Sequence, residues 1–174
     1  LKTWQPLLVP GLLQTESYAR TLVSQRPDLR PDQIDTIVAA RMQRQEILSR
    51  EKPPLLCVML DEGILYRPIG TKRIMREQLL TLIEAAQRPR ITLQVVPTES
   101  QALLGLEGAF VIASVPGETD FAYVDGVNQG YVTDRDSDVE AIANRFETIR
   151  SLALPMPESL DLIAKVVEDK WTET

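Results

Sequence analysis

Two neighbouring carboxylates, Asp61 and Glu62, follow directly on the apolar run 55–60. Ligands collect at the carboxyl ends of strands in open α/β sheets, so this pair suits a cation, a basic group or acid/base work. The plainer alternative is a helix start, with Asp61 as N-cap and Glu62 in the positive first turn. Adjacent carboxylates point to different sides of a chain, which favours the structural role. Arg41, Arg44 and Gln45 sit close to an apolar helical stripe. In one reading, Arg41 or Arg44 partners Glu62 and lines an internal polar pocket; in the other, Arg41, Arg44 and Glu62 form a structural ion pair tying that helix to the Asp61 turn. Pairing of some kind is expected, because a buried charge without a partner is costly. Gln78 and Gln94 lie on core-forming elements, where an amide either orients a ligand or satisfies backbone groups. The first residues to test for ligand contact are Glu62, Arg67, Gln94, Phe110 and Tyr123.

What is missing narrows the chemistry. There is no histidine and one cysteine, Cys57. Zinc sites of the usual nitrogen and sulfur types, Ser-His-Asp or Cys-His catalysis and internal disulfides are therefore excluded. The acidic stretch Asp134-Arg135-Asp136 with Asp138 lacks the alternating ligands of a calcium loop. Gly105-Leu106-Glu107-Gly108 lacks the phosphate-cradling Gly-x-Gly-x-x-Gly arrangement. No catalytic residue, metal or cofactor is expected, and an enzyme using Asp61 or Glu62 as acid/base is kept as the alternative. With 19 Lys and Arg against 25 Asp and Glu, the formal charge is −6. A freestanding nucleic-acid binder is normally basic, so this chain by itself is not expected to grip DNA. No apolar run approaches the ~20 residues of a membrane span, and no signal peptide is evident, so a cytoplasmic location away from membranes is expected. The opening Leu1-Lys2-Thr3-Trp4, without an initiator Met, reads as a domain taken from something longer.

The elements that must carry these residues follow from periodicity and punctuation. Residues 1–13, broken by Pro6, Pro10 and Gly11, read as an extended arm on the core. A helix from Gln14 or Thr15 to about Gln25 buries Tyr18, Ala19, Leu22 and Val23. A second, from Pro31 to about Arg50, sets Ile34, Ile37, Val38, Met42 and Leu48 along one side. The run 55–60 suits a strand buried on both faces, followed by one helical turn through Tyr66. A helix from about Thr71 to Arg88 leads into a strand over 91–96, a crossover that makes the two strands parallel or separates them by one neighbour in the same sheet. Residues 109–115 and 120–125, joined by Pro116-Gly117-Glu118-Thr119, form an antiparallel hairpin, and 130–133 adds an edge strand. Ser137 and Glu140 read as a capping box for an amphipathic helix containing Val139, Phe146 and Ile149. A last helix spans about 157–171. The expected class is α+β, one domain over 1–174 with a small mixed sheet and about five surrounding helices. The loop 99–107 is unusually apolar for a connection; Leu103, Leu104 and Leu106 suit a lid, a partner surface or packing on the domain itself. Trp4 and Trp171 either close over the core or sit at a dimer interface.

Pro10-Gly11-Leu12-Leu13-Gln14-Thr15-Glu16 with Tyr18-Ala19-Arg20 resembles the opening of the C-terminal domain in actinobacterial helix-turn-helix regulators of the XRE class, the WhiJ-like or antitoxin-like group. The resemblance continues in order through Arg41 and Arg44-Gln45 with Leu48, then Asp61-Glu62 with Leu65, Arg67 and Gly70. It runs on through Met75 with Gln78-Leu79, Gln94-Val95 with Pro97, Gly108 with Phe110, and Tyr123-Val124-Asp125. Ala153-Leu154 and Ser159 complete it. Two positions depart from the pattern: Leu103 stands where relatives often carry His, and Asp125 where Glu is common. The resemblance implies a regulatory and oligomerisation domain whose DNA-binding helix-turn-helix precedes it and is absent from this chain. It also implies a homodimer, a small partner protein encoded nearby or a small-molecule effector, and DNA contact only through the missing reader. A pure protein-interaction scaffold is the further alternative.

Overall fold

In the computed structural model, which describes residues 1–126 and 129–172, the arm at the N-terminus turns out to be a strand in the middle of the sheet. Lys2–Gln5 (β1) pairs in parallel with Leu56–Asp61 (β2) and antiparallel with Phe110–Ala113 (β4). Thr3 and Trp4, on opposite faces of β1, are both buried. β2 pairs in parallel with Ile91–Val96 (β3), as the crossover predicts. β4 forms the expected hairpin with Phe121–Val124 (β5), and Tyr131–Thr133 (β6) adds the edge strand. The six-stranded mixed sheet runs in the order β3-β2-β1-β4-β5-β6. With six helices among the described residues, the class is α+β.

Glu16–Val23 (α1) starts at Thr15, whose hydroxyl accepts the Tyr18 N–H at 3.2 Å. Pro31–Gln45 (α2) begins at its proline as expected, then tightens into a 3-10 turn over Glu46–Ser49 instead of continuing to Arg50. Gly63–Tyr66 (α3) is a single turn, and Lys72–Ala86 (α4) is capped by the Thr71 hydroxyl. Asp136–Arg150 (α5) and Met156–Lys170 (α6) complete the set. The capping box is not formed. Thr133 Oγ1 at the end of β6 donates to Asp138 at 3.1 Å and accepts the Arg135 N–H at 3.3 Å; the helix starts two residues earlier than that box implies, and Ser137 falls inside its first turn.

One face of the sheet presents Trp4, Met59, Val96, Phe110 and Ile112 to Phe146 and Ile149 of α5. The opposite face of β2 and β3 presents Leu56, Val58, Leu60, Leu93 and Val95 to Met75, Leu79 and Leu82 of α4 and to Ile163 and Val166 of α6. The exposed edge of β3 is blunted, as lone edges must be. There the Val95 N–H donates to Ser159 Oγ at 2.9 Å, and the Val95 carbonyl accepts the Leu154 N–H at 2.9 Å. Trp4 and Trp171 both close over the core: their indole N–H groups donate to Gly105 O and Leu65 O, each at 2.8 Å. Gly105 is small for this reason, since a Cβ there would meet the Trp4 ring at 2.5 Å. Leu103, Leu104 and Leu106 around it point outward, Leu106 being 73% exposed. α2 packs on α1 and on a 3-10 turn over Gly11–Leu13, not on the sheet. Within α2 Val38 is therefore the buried residue of the stripe, while Ile34, Ile37 and Met42 are half-buried and Leu48 is buried in the 3-10 turn that follows.

Candidate functional site

The segment from Pro10 to Thr15 has an irregular backbone whose polar groups need partners outside any ladder. Three glutamines supply them. Gln45 Nε2 donates to Gly11 O at 2.8 Å and to Gln14 O at 2.7 Å. Gln78, with no exposed surface, donates to Leu13 O at 2.8 Å and accepts the Thr15 N–H at 2.8 Å. Gln14 Nε2 donates to Val9 O at 2.6 Å, which leaves Gln14 Oε1 free to accept Arg41 Nη1 at 2.7 Å. The phrase Pro-Gly-Leu-Leu-Gln is thus a bracket that holds α2 at a set height over the sheet, with Arg41 as its outermost member.

That height opens a cleft of about 500 Å³ between α1, α2 and the face of β1, β4 and β5 that α5 does not cover. Thr3, Val111 and Tyr123, adjacent in register across three strands, lie along its floor. Leu22 and Val23 of α1 and Ile37 of α2 form an apolar wall. Arg41 and Arg44, three residues apart and so on one side of α2, enter from above. Arg26 also lines the cleft and is paired with Asp28 at 3.2 Å, while Asp125 accepts the Tyr123 hydroxyl at 3.3 Å. Thr3, beneath, donates to Phe110 O at 3.0 Å and accepts Gln5 Nε2 at 2.9 Å. Burial, with the charge of Arg44 as the lesser cause, lowers the Arg41 pKa from its ordinary value, although a guanidinium stays protonated.

The other residues singled out from the sequence are placed elsewhere. Asp61 Oδ1 accepts the Gly63 N–H at 2.8 Å, and Glu62 Oε2 accepts the Thr98 N–H at 2.9 Å, so both carboxylates tie down the turn after β2. Burial raises the Asp61 pKa, opposed by that N–H and reinforced by the neighbouring Glu62. The expected ion pair of Arg41 or Arg44 with Glu62 is not formed. Among the described residues no carboxylate pairs with either arginine, because α2 sits on the Gly11–Leu13 turn while Glu62 is held at the ends of β2 and β3. Arg67 ends α3 and is exposed. Gln94 Nε2 donates to Leu154 O at 2.7 Å, and Phe110 is buried edge-on to Phe146, with ring centroids 6.5 Å apart. Of the five ligand candidates, Tyr123 is the one that lines the cleft. Sequence reasoning named Gln14 and Asp125 only as parts of motifs and not as site residues, and passed over Val111; the signal for Gln14 was a polar residue closing an otherwise apolar Pro-Gly turn.

Among the described residues, no three His, Cys, Asp or Glu side chains are grouped to hold a metal ion, and no helix is long and apolar enough to cross a membrane. No curated protein and no solved structure matches the chain. Residues 1–165 do match a family described as a domain of unknown function, DUF5753. The chain, matched over nearly all its length, belongs to the DUF5753 family.

Proposed function

We propose that this domain is the effector-sensing and dimerisation half of a DNA-binding transcriptional regulator of the XRE helix-turn-helix class. Its reader module precedes Leu1 in the intact protein, and it responds to a small ligand or partner protein. Two copies hold two reader heads at half-site spacing, about one duplex turn apart. The observation that carries the sensing part is the cleft. A concave site with convergent polar groups suits a sensor, whereas a flat apolar patch suits a scaffold. Its walls are helices and its floor is sheet, so an occupant bridging the two biases the position of α2. Such a bias acts only through the occupant's differential affinity for the two arrangements. The ordered resemblance to the regulators supports the DNA-linked part. Asp61 and Glu62 each accept a backbone N–H and lie outside the cleft, which supports the sensor reading over acid/base use of that pair.

Two measurements test this. The reading frame upstream of Leu1 is expected to encode a helix-turn-helix, and the mass of the chain in solution is expected to be that of a dimer. A frame that starts at Leu1 with no reader overturns the regulatory reading, and a strict monomer overturns the dimerisation part.

A further inference from the structure

The cleft inverts the charge of the molecule around it. The chain carries −6 overall, yet Arg26, Arg41 and Arg44 enter this one site against Asp125 alone. Arg41 is the unusual member. It is half-buried, its one protein hydrogen bond among the described residues goes to the neutral oxygen of Gln14, and no carboxylate lies within ion-pair distance. Six arginines have a carboxylate partner among the described residues, and of those without one, all but Arg41 and Arg76 are exposed. A guanidinium has five N–H donors, and no described side-chain nitrogen shut off from solvent lacks a partner, so the donors that Gln14 leaves unused are open to solvent on a residue that lines the cleft. A half-buried cation with spare donors, over a floor of Val111 and a wall of Leu22, Val23 and Ile37, is complementary to an anion carried on an apolar body.

Resting on the sensor reading above, we infer that the cleft binds a small amphipathic carboxylate, its head held by Arg41 and Arg44 and its apolar body laid over Val111 between α1 and the sheet. The rim carboxylate of Asp125 repels a second negative charge, so a monoanion fits better than a dianion. The size agrees, since sites for small organic ligands occupy about 300–1,000 Å³.

Octanoate and its uncharged counterpart 1-octanol are the probes, titrated calorimetrically into the 174-residue chain. Octanoate is expected to bind saturably, one molecule per chain, and at least about tenfold more tightly than octanol. Arg41→Met is expected to abolish that preference while leaving octanol binding unchanged, and Arg41→Lys to restore part of it. Should Arg41→Met fail to fold, two other variants carry the test. Arg44→Met, on an exposed position, is expected to weaken octanoate alone, and Val111→Trp, which fills the floor, to remove both probes. Absence of saturable octanoate binding in the millimolar range overturns the inference. So does equal affinity for the two probes, or an octanoate affinity untouched by the arginine substitutions. A missing reader or a monomeric mass strikes the regulatory reading and leaves this binding result standing; failed octanoate binding does the reverse.

Discussion

Replacing Gln78 with leucine tests whether the glutamine bracket positions the cleft. The substitution keeps the side chain's approximate size but strips partners from the Leu13 carbonyl and the Thr15 N–H, both now bonded at 2.8 Å. A buried backbone group left unsatisfied costs about 1–3 kcal/mol, so the gross loss is about 2–6 kcal/mol. The leucine side chain regains part of this by burying apolar surface, which leaves a net destabilisation of about 2–3 kcal/mol. For a chain of this length that corresponds to a Tm lowered by roughly 4–12 °C. Urea and thermal unfolding measure the loss, and amide exchange locates it: the Thr15 amide is expected to lose protection while β2 and β3 keep theirs. Gln78→Glu adds a signed control. Its carboxyl must be protonated to donate to Leu13 O, so its folded pKa is raised. Its stabilising contribution is then complete below the unfolded pKa and is lost as the pH rises through the folded one. A Gln78→Leu protein within about 0.5 kcal/mol of the wild type would refute the bracket, since that is the range of substitutions touching nothing special.

Gly105→Ala is expected to destabilise by about 1–3 kcal/mol, the usual cost of overpacking, because the new methyl would press on the buried Trp4 ring; an unchanged denaturation midpoint counts against that contact. Asp61→Asn is expected to raise stability at pH 7 while keeping an oxygen for the Gly63 N–H. Burial lifts the native carboxyl above its ordinary 3.8, so its contribution is intact below that pH and fades as the pH rises through the folded value. Urea midpoints for the two proteins should therefore differ at pH 7 and converge near that ordinary value, and a less stable variant at pH 7 would oppose this. Arg44→Ala is expected to leave stability within about 0.5 kcal/mol of wild type, because Arg44 is exposed and holds no ion pair among the described residues. A clear drop in melting temperature would show that Arg44 supports the fold and not the cleft alone.

The helices and most strands were legible in the sequence for local reasons. Thr71, Pro31 and Thr15 mark helix starts by chemistry that acts within one turn, and the unbroken run at 55–60 reports burial on both faces. β1 was not legible. Four residues between a chain start and Pro6 have no room to show a period, and their central place comes from partners more than fifty residues away, at Cys57 and Ile112. The candidate site was half legible for the same reason. Arg41, Arg44 and Gln45 stood out as polar residues beside an apolar stripe, and Tyr123 as part of a motif. The expected pairing of the arginines with Glu62 followed from charge complementarity alone, which carries no information about distance.

By itself, then, the order of amino acids determined the α+β class, the crossover, the hairpin and the absence of histidine-based and internal disulfide chemistry. Each of these depends on composition or on neighbours a few residues apart. Tertiary structure decided which face of the sheet α5 covers and which it leaves open, and that the Pro-Gly turn is bracketed by Gln14, Gln45 and Gln78. It also decided that Arg41 ends beside an amide instead of a carboxylate. Those outcomes rest on contacts between segments distant in the chain, where the balance of desolvation against available partners is set by the packing of whole elements. No stretch of sequence carries that balance locally.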